Sequence, residues 1–155
     1  MKAIHYNVLS SNDILHCKDE VVFLMKMVLA DNIPQSYPDD LAEQYVDKMP
    51  RYIEDGSAII VGAFYENKLI GFSWAYELLI FQERRIHIDM IGVDPEFRSK
   101  GIATRMVDIQ IEEAKKRDIS IIEAMTTRNN ENSYNWFHSM GFVDERVKVK
   151  LELNG

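Results

Sequence analysis

The sequence contains a single cysteine, Cys17. A lone thiol excludes an internal disulfide framework and a metal site built from several thiolates. Cys17 is expected to be a small packing residue on a helix. Positive charge is also scarce: 18 Lys and Arg stand against 25 Asp and Glu, a formal net charge of −7. Non-specific DNA or RNA binding needs a basic surface, so no nucleic-acid partner is expected. No apolar run approaches the roughly 20 residues of a membrane span. The opening residues, MKAIHYNVLSSND, lack a signal-peptide core. A cytoplasmic protein with no membrane partner is therefore expected. Glycine is too sparse for two familiar phosphate loops. Neither a Gly, four residues, Gly-Lys-Ser/Thr segment nor a three-glycine dinucleotide fingerprint occurs. His5, His16 and His138 have no spacing that suggests a metal site.

What is present is an ordinary globular composition, 46% hydrophobic and 28% charged over 155 residues. That is enough for one domain, residues 1–155, burying about two thirds of its unfolded surface. Lys2–Leu9 reads as a first strand. Ser10–Asp13 carries helix-cap chemistry. Ile14–Ala30 has apolar residues at three- and four-residue spacing and predicts one helix. After a loop over residues 35–38, Asp39-Asp40 opens a second helix to about Met49, with Pro50 close behind it. Ser57–Tyr65 and Leu69–Leu78 predict a hairpin. Ile86–Val93 follows as a third strand of this group.

The stretch Arg85–Arg105 organises the chain. Asp94-Pro95 stops the strand, since proline cannot donate to a ladder and restricts the residue before it. Glu96–Gly101 is a short loop, and a helix follows from about Ile102 to Arg117. Its inner stripe is expected at Ala103, Met106, Val107, Gln110 or Ile111, and Ala114. A strand–turn–helix aims unpaired helix N–H groups at one point, a good place for phosphate. Ile119–Met125, broken only by Ser120 and Glu123, predicts a buried parallel strand. Glu131–Met140 predicts a short helix, and the alternation over Val143–Leu153 a final strand. The fold class is α+β: strand, two helices, three strands, helix, strand, helix, strand. The Ile86–Met125 unit should be a parallel crossover and the remainder of the sheet antiparallel.

Arg98-Ser99-Lys100-Gly101-Ile102-Ala103 resembles motif A of the GNAT (Gcn5-related N-acetyltransferase) family, Arg/Gln-x-x-Gly-x-Gly/Ala. Val93-Asp94-Pro95 before it and Thr104 after it also look like the family. Asn129–Phe142 resembles the family's late motif, with Asn130 at its asparagine and Ser133 at its small residue. The element order is that of the family, so the resemblance covers nearly the whole chain and implies a three-layer α/β/α arrangement.

The resemblance implies an acetyltransferase using acetyl-coenzyme A as co-substrate and no metal. It assigns cofactor contacts to Ile91, Gly92, Val93, Arg98, Ser99, Lys100, Gly101, Ile102, Ala103, Thr104, Asn130 and Ser133. Asn130 also suits a helix cap. The acceptor would be a small-molecule or peptide amine, and a homodimer is compatible with the sequence. The tyrosine that serves many relatives as general acid falls on Phe137, which has no proton to give. A binding module that holds acyl-coenzyme A without turnover is therefore the alternative. A coenzyme A carries about four negative charges, which an acidic chain must hold by backbone N–H groups and nearby cations such as Arg98 and Lys100.

For deprotonating the amine, His87 and Asp89 are the expected candidates. With Ile91 and Val93 they should share one strand face by the two-residue period. Tyr76 and Glu77 on the neighbouring strand are weaker ones. In the family the acceptor site is usually built by the first two helices, here Asp31–Asp40 with Tyr37, Asp31, Asp39 and Asp40.

Overall fold

A computed structural model describes residues 2–33, 36–127 and 129–154. Pro34 and Gln35 lie outside it, so the loop expected from residue 35 is described only in part. Two compact units are present, Met1–Met125 and Thr126–Gly155.

The first unit is a mixed sheet covered on both faces. Its elements are β1 (His5–Val8), α1 (Ser11–His16), α2 (Lys18–Asn32), α3 (Leu41–Glu54), β2 (Ala58–Tyr65), β3 (Lys68–Ile80), β4 (Glu83–Val93), a single 3-10 turn (Pro95–Phe97), α4 (Ile102–Lys116) and β5 (Ile122–Ala124). The strands lie in the order β1-β2-β3-β4-β5. The first three pairings are antiparallel and β4–β5 is parallel. The crossover through α4 therefore does return to a parallel neighbour, as the sequence order implied.

Each face has its own apolar cluster. Val21, Leu24, Met25 and Leu29 of α2 and Val46 and Met49 of α3 pack on Ile60, Phe72 and Trp74. On the other face Ile102, Met106 and Ile109 of α4 pack on Val61, Ala63 and Ile70. Of the expected stripe of α4, Met106, Val107, Gln110 and Ala114 are buried, Gln110 rather than its alternative Ile111; Ala103 is only partly buried, and Ile109 is buried as well. Gln110 is fully buried and polar. Its amide donates to the carbonyls of Ile59 (3.2 Å) and Ser73 (3.0 Å) and accepts from the Ser73 hydroxyl (2.8 Å). These bonds replace the water that an amide would otherwise need.

Three sequence expectations are corrected. The helix expected over Ile14–Ala30 is two helices. Ser10 and Asp13 form a reciprocal capping box that starts α1 early. The chain then bends at Cys17 (φ −111°, ψ 27°) before α2. Cys17 is buried at that bend, its thiol donating to the Asp13 carbonyl at 2.9 Å. Secondly, α3 runs past Met49 to Glu54 with Pro50 inside it. Proline removes one backbone donor, but Ala42, Val46 and Met49 of this helix are buried and that packing outweighs the missing bond. Thirdly, no strand forms over Val143–Leu153; residues 143–154 carry no regular structure.

The second unit contains α5 (Glu131–Ser139). Phe137 is buried, with Trp136 at 4.7 Å and Phe142 at 5.0 Å between ring centres. Tyr134 and His138 stand one turn apart and both bind the Asp144 carboxylate at 2.8 Å.

Candidate functional site

The loop after β4 is held from below. Asp94 is buried, and its main chain donates to the Ile70 carbonyl at 2.7 Å. Its carboxylate accepts from the Glu96 amide at 3.0 Å and caps the Pro95–Phe97 turn. Phe97 packs its ring on Tyr65 at 5.3 Å. Ser99 (φ 63°) and Gly101 (φ 77°) both take left-handed backbone, which turns the chain sharply into α4. Glycine carries this conformation without the steric penalty of a Cβ. A Cβ at Gly101 would meet no described atom within 4 Å, so conformation rather than crowding calls for glycine.

Gly101 is the N-cap of α4 and offers no capping side chain. The first turn, Ile102–Thr104, contains no acidic residue. A helix start without a carboxylate presents unpaired donors and partial positive charge. Arg98 and Lys100 are exposed beside it. Arg98 also reaches back, its Nε donating to the Val93 carbonyl at 3.2 Å. Ile102 points into the core, so its contribution to a ligand is its main chain. A helix start with no side-chain cap, flanked by two exposed cations, has the chemistry to hold a pyrophosphate.

Upstream, β5 pairs with β4 only over Ile86–Ile88, opposite Ile122–Ala124. Among the described residues, the edge of β4 from Asp89 to Val93 has no strand on that side. This half-open edge can accept an extended ligand as an added strand. Gly92 serves packing as well. A Cβ there would stand 2.9 Å from Val28 and 3.1 Å from Phe72, so glycine lets α2 approach.

The ladder between β3 and β4 slips by one residue. Trp74 faces Met90 and Ala75 faces Ile88, leaving Asp89 as the extra residue of a β-bulge. The slip overturns the expected face. His87 faces Tyr76, two positions from Trp74, so His87 shares a face with Met90. Ile91 and Val93 turn to the opposite face, against the α4 cluster. A strict two-residue period holds only without a bulge.

A polar cluster surrounds His87. Its Nδ1 lies 2.7 Å from Glu123 Oε2. The other oxygen of Glu123 accepts from Arg85 Nη1 at 3.2 Å, and Arg85 also pairs with Glu83 at 2.7 Å. Both His87 and Arg85 are buried. The Tyr76 ring lies 5.2 Å from that of His87. Burial raises the Tyr76 pKa, with Asp89 and Glu123 adding to the rise. Desolvation also raises the Asp89 carboxyl, opposed by His87, although Asp89 keeps access to solvent at the bulge. Glu77 is engaged elsewhere. Arg84 grips both its oxygens, at 3.1 and 3.2 Å, and holds its pKa below the usual range with help from Arg117. A carboxylate so paired is a poor base. Glu123 was not singled out from the sequence; its signal was a carboxylate inside an apolar strand.

The remaining expected residues fall elsewhere. Asn130 caps α5, its Oδ1 accepting from the Ser133 amide at 3.1 Å. Of the acceptor residues, Asp40 accepts from Gln44 at 3.0 Å, and Tyr37 packs on the α2–α3 core. Asp31 and Asp39 are exposed. Among the described residues no group of three or more His, Cys, Asp or Glu could hold a metal.

Residues 25–142 match the model of the acetyltransferase (GNAT) family. An uncharacterised N-acetyltransferase of Methanocaldococcus jannaschii is 37% identical over 60 residues, a match spanning 39% of this chain and 26% of that protein. The chain thus covers about a quarter of that relative's length. Among solved structures, one described as a predicted acetyltransferase with acetyl-CoA, from Clostridium acetobutylicum, superposes with a TM-score of 0.77 at 20% identity over 97% of both chains. An aminoglycoside acetyltransferase from an uncultured soil metagenomic sample, in complex with sisomicin, gives 0.74 at 14% identity over 97% of both.

Proposed function

We propose a mechanism for this chain, which belongs to the acetyltransferase (GNAT) family: it moves an acetyl group from acetyl-coenzyme A to the nitrogen of a primary amine, by direct attack. The observation that carries this is the uncapped start of α4 beside a half-open β4 edge. When bound, acetyl-coenzyme A supplies an activated acyl carbon on a thiol leaving group. The main-chain amides of residues 101–104, with Lys100 and Arg98, hold its pyrophosphate. The β4 edge from Ile91 to Val93 aligns the pantetheine arm by strand-like hydrogen bonds. A backbone N–H there supports the oxyanion, an effect commonly worth about 3 kcal/mol.

His87 is the residue we assign as base. The Glu123 carboxylate can only accept, so Nδ1 is the donor and Nε2 of the neutral ring keeps its lone pair. Nε2 takes a proton from the incoming amine, directly or through water. The nitrogen forms the C–N bond as the C–S bond breaks, and the electron pair leaves with sulfur. Asp89, at the bulge, is the second candidate; its raised pKa makes it a stronger base than an ordinary carboxylate.

The acceptor is proposed to be a small cationic amine or a peptide N-terminus. The aminoglycoside acetyltransferase among the structural neighbours, the net charge of −7 and exposed Asp31 and Asp39 support the first. Calorimetry with acetyl-coenzyme A, followed by a thiol-release assay over an amine panel, tests the reading. Micromolar binding with amine-dependent release is expected; no binding at millimolar ligand would overturn it. One observation favours a second reading, a binding module without turnover: Phe137, at the usual acid position, is buried among aromatic rings. Saturable binding with no release for any amine would select it.

A further inference from the structure

Trp74 of β3 is almost wholly enclosed, 5% exposed. Its indole N–H meets no solvent and, among the described residues, has no hydrogen-bond partner. A buried indole ordinarily finds one, because an unpaired donor forfeits the bond that water supplied. Two half-buried side chains adjoin it. Tyr45 of α3 stands edge-on, 6.4 Å between ring centres, and Met90 faces it across the β3–β4 ladder. Being partly in solvent, both can change rotamer without opening the core.

The position of this donor gives it a use. Tyr76 faces His87 and lies two residues from Trp74, about 6.8 Å along the strand and on the same face. The indole and the His87 ring are therefore neighbours on one side of the sheet, and all of these residues belong to the first unit. A molecule held at His87 by its amine can reach the indole with a second group. An indole N–H only donates, so that group is an acceptor. The wall of Trp74, Tyr45 and Met90 is neutral and largely apolar, while Glu123 is bonded to His87 and Asp89 follows two residues on. A carboxylate placed there would lose its water and meet like charge. A neutral oxygen meets neither penalty.

We propose that the Trp74 indole N–H selects the acceptor: it donates to a neutral carbonyl or hydroxyl oxygen carried close to the amine that His87 deprotonates. The inference rests on the proposed acetyl transfer with His87 as base. Tyr45 and Met90 yield as the oxygen enters. An amine without such an oxygen leaves the donor unpaired and gains nothing from it. Amino-acid amides and amino alcohols are then preferred to plain alkylamines and to free amino acids.

Three acceptors of similar skeleton make the test: alaninamide with a carbonyl, alaninol with a hydroxyl, and 3-methylbutan-2-amine with no oxygen. For each, kcat/KM is measured in the wild type and in Trp74→Phe. The basicity of each amine is common to both proteins and cancels in the comparison. The variant should cut the preference for alaninamide or alaninol over the alkylamine at least about tenfold, with the alkylamine rate nearly unaltered. Whichever oxygen loses its advantage identifies the source. An equal loss for all three, or none, overturns the proposal and leaves Trp74 as packing alone. A second measurement needs neither that variant nor turnover. The indole nitrogen-15 and proton resonances of Trp74, assigned with the help of Trp136→Phe, are followed in the wild type with coenzyme A present. An oxygen-bearing amine should move the indole proton downfield, and 3-methylbutan-2-amine should not. Resonances that answer to none of the three, an ordered water being the only partner, or to all alike overturn the proposal. Should no amine release thiol, the acetyl-transfer reading fails while the indole resonances still decide for or against Trp74.

Discussion

Glu123 bridges His87 and Arg85 across the β4–β5 boundary, one carboxylate oxygen 2.7 Å from His87 Nδ1 and the other 3.2 Å from Arg85 Nη1. The arginine neutralises and orients the carboxylate, and the carboxylate fixes the imidazole. His87→Ala should lower kcat by about a hundredfold or more, the usual scale of a lost general base, with KM for acetyl-coenzyme A unchanged. Glu123→Gln should lower kcat about tenfold. It should also change the ring nitrogen-15 shifts of His87 from the Nδ1–H tautomer toward a mixture. Full activity in His87→Ala would remove His87 from the mechanism; an unchanged tautomer in Glu123→Gln would remove only the positioning role of Glu123.

Lys100 and Lys48 are both exposed, but only Lys100 borders the uncapped helix start. Lys100→Glu should weaken acetyl-coenzyme A binding about tenfold, or 1.4 kcal/mol, and more at low salt. Lys48→Glu on α3 should leave affinity unaltered. Calorimetry at two salt concentrations checks both.

Gln110 joins α4 to two strands from inside the core. Gln110→Ala strands the carbonyls of Ile59 and Ser73 and opens a void. A loss of about 2–4 kcal/mol in urea unfolding is expected, from unpaired buried polar groups and cavity together. Gln110→Glu should be at least as costly near neutrality, since a carboxylate cannot donate to those carbonyls.

Burial pushes the Cys17 thiol up to about 11, with Glu20 and Asp13 adding to the rise. At pH 8 only about one thiol in a thousand is then thiolate, so alkylation should be slow until the chain unfolds. The folded state holds this proton more tightly than the unfolded one. Stability should therefore fall as pH rises above the unfolded thiol's range, with the loss complete once pH passes about 11. Cys17→Ser should flatten that alkaline limb, as pH-dependent denaturation would show.

Much of the molecule was legible from local signals. The Asp94-Pro95 stop, the glycine before α4 and the α4 stripe at Met106, Val107, Gln110 and Ala114 each reflect a short-range rule, and each holds. The parallel return to β5 followed from element order alone. What escaped depends on partners distant in sequence. The bulge at Asp89 is set by its pairing with β3, and it moved His87 to the other face from Ile91 and Val93. Glu123 gains its place from a histidine and an arginine on another strand. The bend at Cys17 overrides a continuous helical period. Pro50 sits inside α3 because tertiary burial outweighs one missing bond. The stretch 143–153 shows the converse: its alternating pattern takes no regular structure.

β5 is three residues long, and its brevity has a consequence for how this sequence can change. Adding residues that continue its ladder past Ala124 would supply new hydrogen bonds and raise the melting temperature. The same residues would cover the edge of β4 from Asp89 to Val93, which among the described residues has no strand beside it. With the donor seated on that edge as proposed, selection for toughness and selection for turnover pull this strand in opposite directions, and variants chosen for heat resistance alone should accumulate there at the expense of access to the donor.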